Sequence, residues 1–220
     1  MSLSEAIASQ NLEQLESLID SSEWNWWDDE PVMQICSMTD GDKPAEMLSL
    51  MFSRGARAPE EVDVLARVCR GGKSKMAKVL LEQEIIQNPR WTCTVQGDFE
   101  YLHAACAVSG VSESSASDLV RLLVEAGADP ALVDHRSGNT ALHVAARNGN
   151  VHLFQFLVES GCPVDSVNDR GETPLYVLCD KHPSRPDGAE LLLKLGADKD
   201  TAKELAKTNQ KDAIVVALEK

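Results

Sequence analysis

Two stretches of this chain repeat one another at a distance of 33 residues. Gly138 and Gly171 stand that far apart, as do Thr140 and Thr173, and Leu142 and Leu175. The first copy reads Gly138-Asn139-Thr140-Ala141-Leu142-His143-Val144-Ala145-Ala146. The second reads Gly171-Glu172-Thr173-Pro174-Leu175-Tyr176-Val177-Leu178-Cys179. Each copy leads into an apolar helical stretch closed by a glycine, Gly161 in the first and Gly196 in the second. A unit this short cannot bury its own apolar face. It requires stacked neighbours, so the chain must be an array rather than a body around one central core.

The residues inside the period explain its shape. Threonine can cap the first helix, and proline suits the first turn, where its missing donor would go unpaired anyway. Gly149-Asn150 allows a tight turn to the second helix, and Gly127, Gly161 and Gly196 sit where helices end in a left-handed residue. The pattern resembles the ankyrin repeat family. Thr140-Ala141-Leu142-His143 and Thr173-Pro174-Leu175 carry its T-P-L-H opening. Glu125-Ala126-Gly127-Ala128-Asp129 and Leu195-Gly196-Ala197-Asp198 carry the exit from its second helix. The resemblance implies an all-α solenoid with short β-hairpin-like turns between units. It also implies that His103 and His143 bond to backbone and tie neighbouring units together.

The register extends both ways. Leu65, Val68, Cys69 and Gly72 fall on Leu142, Ala145, Ala146 and Gly149. Leu102-His103-Ala104-Ala105-Cys106 opens another unit, and Glu30-Pro31-Val32-Met33 another. Leu3, Ala6, Asn11, Leu15 and Leu18 match at the amino end, and Thr201 to Ala206 opens a last pair closed by Ile214, Val215 and Leu218. The expectation is one domain, 1–220, of about seven helix pairs: a cap over 1–22, units 30–57, 62–85, 98–130, 135–167 and 168–200, and a cap over 201–220. Five of the nine residues from Ser109 to Ser117 are serine, which reads as a flexible loop between two helices.

The reactive residue types are absorbed by the repeat. Cys36, Cys69, Cys106 and Cys179 all fall on the position of Ala146, which wants a small apolar group. Stacked helices lie about 8–10 Å apart, and a disulfide needs α-carbons within about 7 Å, so these thiols should not bridge. Cys93 and Cys162 fall in turns and are the candidates for exposed thiols. No paired metal-ligand spacing, phosphate-binding loop or catalytic triad is visible. The chain is therefore expected to be non-catalytic, with no cofactor and no metal.

Charge narrows the partners. There are 21 basic against 35 acidic residues, a net −14, which disfavours nucleic acid and membrane surfaces. No apolar run approaches the roughly 20 residues of a membrane span, and the first residues lack the pattern of a secretory signal. A cytoplasmic monomer is expected, with a nuclear site also open. Against the acidic trend, residues 53–80 hold Arg54, Arg57, Arg67, Arg70, Lys73, Lys75 and Lys78, a net +4. This stripe would dock an acidic partner, pair with the chain's own acids, or face solvent as an ordinary charged surface.

What remains is binding of another protein or peptide, as adaptor, scaffold or inhibitor. The alternative is a targeting or regulatory region of a longer multidomain protein. The resemblance implies contact through hairpin tips and the concave face of the first helices. On this chain the candidates are Arg136, Ser137 and Asn139, then Asp169, Arg170 and Glu172, with Arg147 and Asn148 on the helix beside them. Trp26, Trp27 and Asp29 also fall at a tip. Three of the four tryptophans, Trp24, Trp26 and Trp27, crowd this segment. Two roles suit them: a hot spot for a partner, or a lid folded over the first helix pairs.

Overall fold

The computed structural model describes residues 2–21, 30–56, 64–82, 101–183 and 185–208. Among them every regular element is helical. Six helix pairs follow one another: α1 (Leu3–Ala8) with α2 (Leu12–Ser21), α3 (Glu30–Ser37) with α4 (Asp42–Ser53), and α5 (Val64–Arg70) with α6 (Ser74–Glu82). Then come α7 (Tyr101–Cys106) with α8 (Glu113–Glu125), α9 (Ala141–Asn148) with α10 (Phe154–Glu159), and α11 (Pro174–Lys181) with α12 (Pro186–Lys194). A 3₁₀ turn, Val151–Leu153, leads into α10, and α13 (Lys199–Thr208) starts a further pair. The expected closing helix around Ile214 to Leu218 lies outside the described residues, as do Trp24, Trp26, Trp27, Asp29, Arg57 and Cys93.

The first helices pack in one row, α1 through α13 by odd numbers, and the second helices in another. The chain is thus an all-α solenoid of two layers. Its apolar core is a strip between them, running from Ala6 and Ile7 to Ala202 and Ala206. Each unit supplies the same positions: Leu65, Leu102, Leu142 and Leu175 are all buried, and so are Cys36, Cys69, Cys106 and Cys179. Two local expectations change. The serine-rich stretch is not a loop throughout. Ser112 caps α8, its Oγ accepting from the Ser115 N–H at 3.2 Å, so from Glu113 the serines form the first turns of a long helix. Cys162 is not exposed; it is packed into the core at 2 % accessibility. A turn position that looks open in sequence is held here against Thr140 and Leu142 of its own unit.

α9 shows why these residues make these helices. Thr140 Oγ1 accepts from the His143 N–H, and His143 Nδ1 accepts from the Thr140 N–H at 3.2 Å, a reciprocal cap. The helix stops at Gly149, whose φ of +71° is the left-handed conformation a side chain would resist. In α11, Thr173 repeats the cap and Pro174 fills the first helical position.

The junctions between units are fastened by side chains onto backbone. His103 Nε2 meets Asn139 O at 2.8 Å, and His143 Nε2 meets Glu172 O at 2.9 Å, each reaching the next hairpin. Other donors reach back to carbonyls at the end of the preceding first helix. These are Lys73 Nζ to Cys36 O (2.5 Å), Ser115 Oγ to Gly72 O (3.3 Å), Asn150 Nδ2 to Cys106 O (2.9 Å) and Arg185 Nη1 to Gly149 O (2.5 Å). Helix ends leave such carbonyls without intrahelical partners, so each unit completes the one before it.

Candidate functional site

The hairpin tips are built around one polar side chain each. Asp134 Oδ1 accepts from the N–H groups of Arg136 (2.9 Å) and Ser137 (2.7 Å), and Oδ2 accepts from the Asn139 N–H (3.1 Å) and the Ser137 hydroxyl (2.8 Å). In the next tip Asn168 Oδ1 accepts from the Arg170 and Glu172 N–H groups, both at 3.0 Å. Burial pushes the Asp134 carboxyl up, but the hydrogen bonds from Ser137, Arg136 and Asn139 outweigh it and hold the carboxyl below its ordinary 3.8.

The tips are also bonded to each other. Asn168 Nδ2 donates to Asn139 Oδ1 at 3.0 Å, and the Asp169 N–H donates to Ser137 O at 3.0 Å. Gly138, at φ +64°, lies under this contact: a β-carbon there would sit 2.5 Å from Asp169 Oδ1 and 3.0 Å from its backbone nitrogen. Only glycine lets the two tips approach.

This geometry sorts the expected contact residues. Arg136, Asp169, Arg170 and Asn148 are exposed, while Ser137, Arg147 and Glu172 are half-buried. Asn139 is buried and spent on the clamp, so its side chain holds the tip together rather than facing outward. The Glu172 carboxylate accepts from Asn168 Nδ2 at 3.0 Å. Trp26, Trp27 and Asp29 lie outside the described residues. The pattern reading missed the clamps Asp134 and Asn168, and the apolar residues before them. Leu132, Val133 and Val167 are among the few large apolar side chains left exposed, Val167 at 59 %. The signal was present: an Asx residue just ahead of a turn glycine marks a side-chain-closed turn.

The clamp makes a direct prediction. Asp134→Ala should cost about 1–2 kcal/mol, the low end for a hydrogen-bonded charge because water reaches the tip. In the parent protein this contribution is held above pH 3.8 and fades as pH falls through the lowered folded value. Thermal melts from pH 7 to pH 3 check it. Equal melting of parent and variant at neutral pH would show that the clamp adds nothing.

Burial pushes the Cys36 and Cys179 thiols up to about 11 and raises Cys106 and Cys162 as well, which makes them poor nucleophiles. Among the described residues no group of three His, Cys, Asp or Glu is placed to hold a metal ion. No described helix is long and apolar enough to cross a membrane.

Comparison with known proteins bears on the repeat itself. A family model described as ankyrin repeats, in three copies, matches residues 102–203. The chain is 40% identical over 68 residues to protein phosphatase 1 regulatory subunit 27 of Mus musculus, covering 31% of this chain and 43% of that protein. It is 40% identical over 97 residues to palmitoyltransferase Hip14 of Drosophila melanogaster, covering 43% of this chain and 14% of that one. To NF-kappa-B inhibitor zeta of Bos taurus it is 31% identical over 96 residues, covering 41% and 13%. The chain thus spans less than half the length of each of these relatives. Residues 102–203 are an array of ankyrin repeats.

Proposed function

We propose that this chain is a non-catalytic module that binds a protein partner through its hairpin tips and concave face, as adaptor, scaffold or inhibitor. One observation carries the reading. The tips of Asp134–Thr140 and Asn168–Thr173 are locked by side-chain and inter-unit hydrogen bonds, yet present Val133, Val167, Arg136 and Arg170 to solvent. Rigid tips lose little conformational freedom on binding, and apolar groups ringed by arginine are what protein contacts favour. Ankyrin repeats are a protein-interaction architecture, and two of the matched relatives are named a regulatory subunit and an inhibitor.

A second reading, a targeting or regulatory region within a longer protein, is supported by the small share of Hip14 and of the NF-kappa-B inhibitor that the chain covers. The experiment for the main reading pairs two measurements. Val133→Glu with Val167→Glu should leave the melting temperature within about 2 °C, since both side chains are exposed. The same variant should lose the proteins that the parent chain captures from cell extract. An unchanged set of captured proteins would count against the tips as the contact surface.

A further inference from the structure

We propose that the concave face between α5 and α9 receives an extended acidic peptide segment, its carboxylates held by Arg67 and Arg70 at one point and by Arg147 at another. The proposal rests on the interaction reading above and specifies the chemistry of the partner.

The basic stretch 53–80 supplies the first observation. Most of its described cations are already engaged. Arg54 pairs with Glu16 at 2.8 Å and with Asp20, Lys75 with Asp42 at 2.6 Å, and Lys78 with Glu82 at 3.8 Å. The Lys73 ammonium is committed to Cys36 O. Arg67 and Arg70 are left. Both are exposed, and their spacing of three puts them on one face of α5. Among the described residues their side chains form no hydrogen bond or ion pair. Arg67 also lines a groove of about 360 Å³ with Ser4 on α1 and Glu30, Met33, Gln34 and Ser37 on α3.

The second observation is the repeat register. Arg147 on α9 holds the position of Arg70 on α5, and its Nε is buried with no partner in the described structure. α7 packs between these helices, and Ala104 on it and Ala107 in the turn after it stand at the positions of Arg67 and Arg147. Arginines therefore flank a floor of alanine. Two steps between first helices at about 8–10 Å each give roughly 16–20 Å. An extended chain covers that in about five or six residues at ~3.3 Å apiece.

Guanidinium groups receive carboxylates bidentately, so acids at that spacing fit both points. Two nearby acids are engaged elsewhere. Glu5 accepts from the Ser2 N–H at its own helix cap, and Asp180 pairs with Lys181 at 2.9 Å. Glu30, at the amino end of α3, lines the same groove as Arg67 and sets a negative charge at its edge, so a peptide carboxylate must enter from the Arg70 side. With a net charge of −14 on the chain, dense polyanions are repelled, which favours a short segment with a few placed carboxylates over nucleic acid.

The test is fluorescence anisotropy with a labelled serine–glycine–leucine peptide bearing two glutamate pairs about six residues apart, the spacing derived above. The parent chain should bind it, more weakly as salt rises. Arg67→Glu with Arg70→Glu should weaken binding at least tenfold, Arg147→Glu severalfold, and Lys78→Glu, on the opposite layer, less than twofold. Arg67→Gln with Arg70→Gln gives the milder loss should charge reversal disturb folding, which circular dichroism monitors. Equal binding by parent and double variant overturns the proposal. So does an equal loss in Lys78→Glu, or tighter binding of an oligothymidylate than of the peptide. If the Val133/Val167 variant loses captured proteins while the arginine variants bind the peptide as the parent does, the interaction reading stands and this one fails.

Discussion

Phe154→Ala is expected to lower stability by about 3–5 kcal/mol. Phe154 is fully buried at the start of α10. It lies against the next unit at Gly188, where an added β-carbon would come 3.5 Å from its ring and 2.8 Å from Val151. The ring therefore joins two units. Small domains have only about 5–15 kcal/mol in total, so the loss would take a large share. It would also act on cooperativity. In a linear array stability is a sum of unit and junction contributions, and weakening a middle junction lets the two ends unfold separately. Urea melts followed by circular dichroism should show one transition in the parent and two in the variant. A single transition shifted by less than about 1 kcal/mol would mean the site collapses around the cavity and the junction survives.

His143→Ala carries the second large effect, about 2–4 kcal/mol, because a buried N–H and a half-buried carbonyl lose their partners at once. The hydrogen bonds assign the proton of the neutral ring to Nε2, which donates to Glu172 O, while Nδ1 accepts from the Thr140 N–H. Burial lowers the ring below its ordinary 6.5, although the bond to Glu172 and the charges of Glu172 and Asp134 pull the other way; Arg147 adds to the lowering. The unfolded chain thus binds this proton more readily than the folded one. Stability is full above about pH 6.5 and is lost as pH falls toward the lower folded value. The parent should melt at lower temperature at pH 5.5 than at pH 7.5, and the drop should be smaller in the variant. Some drop should persist, because burial lowers His152 in the same direction. Identical pH dependence in both proteins would remove His143 as its source.

Much of this was readable from residue pattern. Leu142 and Leu175 at one period, with threonine two residues before each, dictate caps and core wherever they recur, since a helix pair has few ways to bury that stripe. Cysteines on the Ala146 position were legible for the same reason. What pattern could not reach was three-dimensional adjacency. Cys162 looks open along the chain, yet it is buried against Thr140 and Leu142 at the start of its own unit. Asn139 looks like a solvated tip residue until Asn168, 29 residues on, closes over it. Side-chain polarity is likewise no guide in the stretch after Gly110, where Ser114, Ser115 and Ser117 sit within α8. The expected start of the last pair at Thr201 moves to Lys199, because Asp198 takes the turn, accepting from the Asp200 N–H at 2.9 Å.

The fastening of the junctions has a mechanical consequence. His103 and His143 reach forward along the chain, whereas Asn150 and Arg185 reach backward. Each junction between α7 and α12 is therefore held at two separated points by donors from opposite partners. A unit cannot swivel on its neighbour without breaking one of them. The solenoid behaves there less like a string of beads than like a spring wound to a set pitch, and the curvature it presents to a partner exists before the partner arrives.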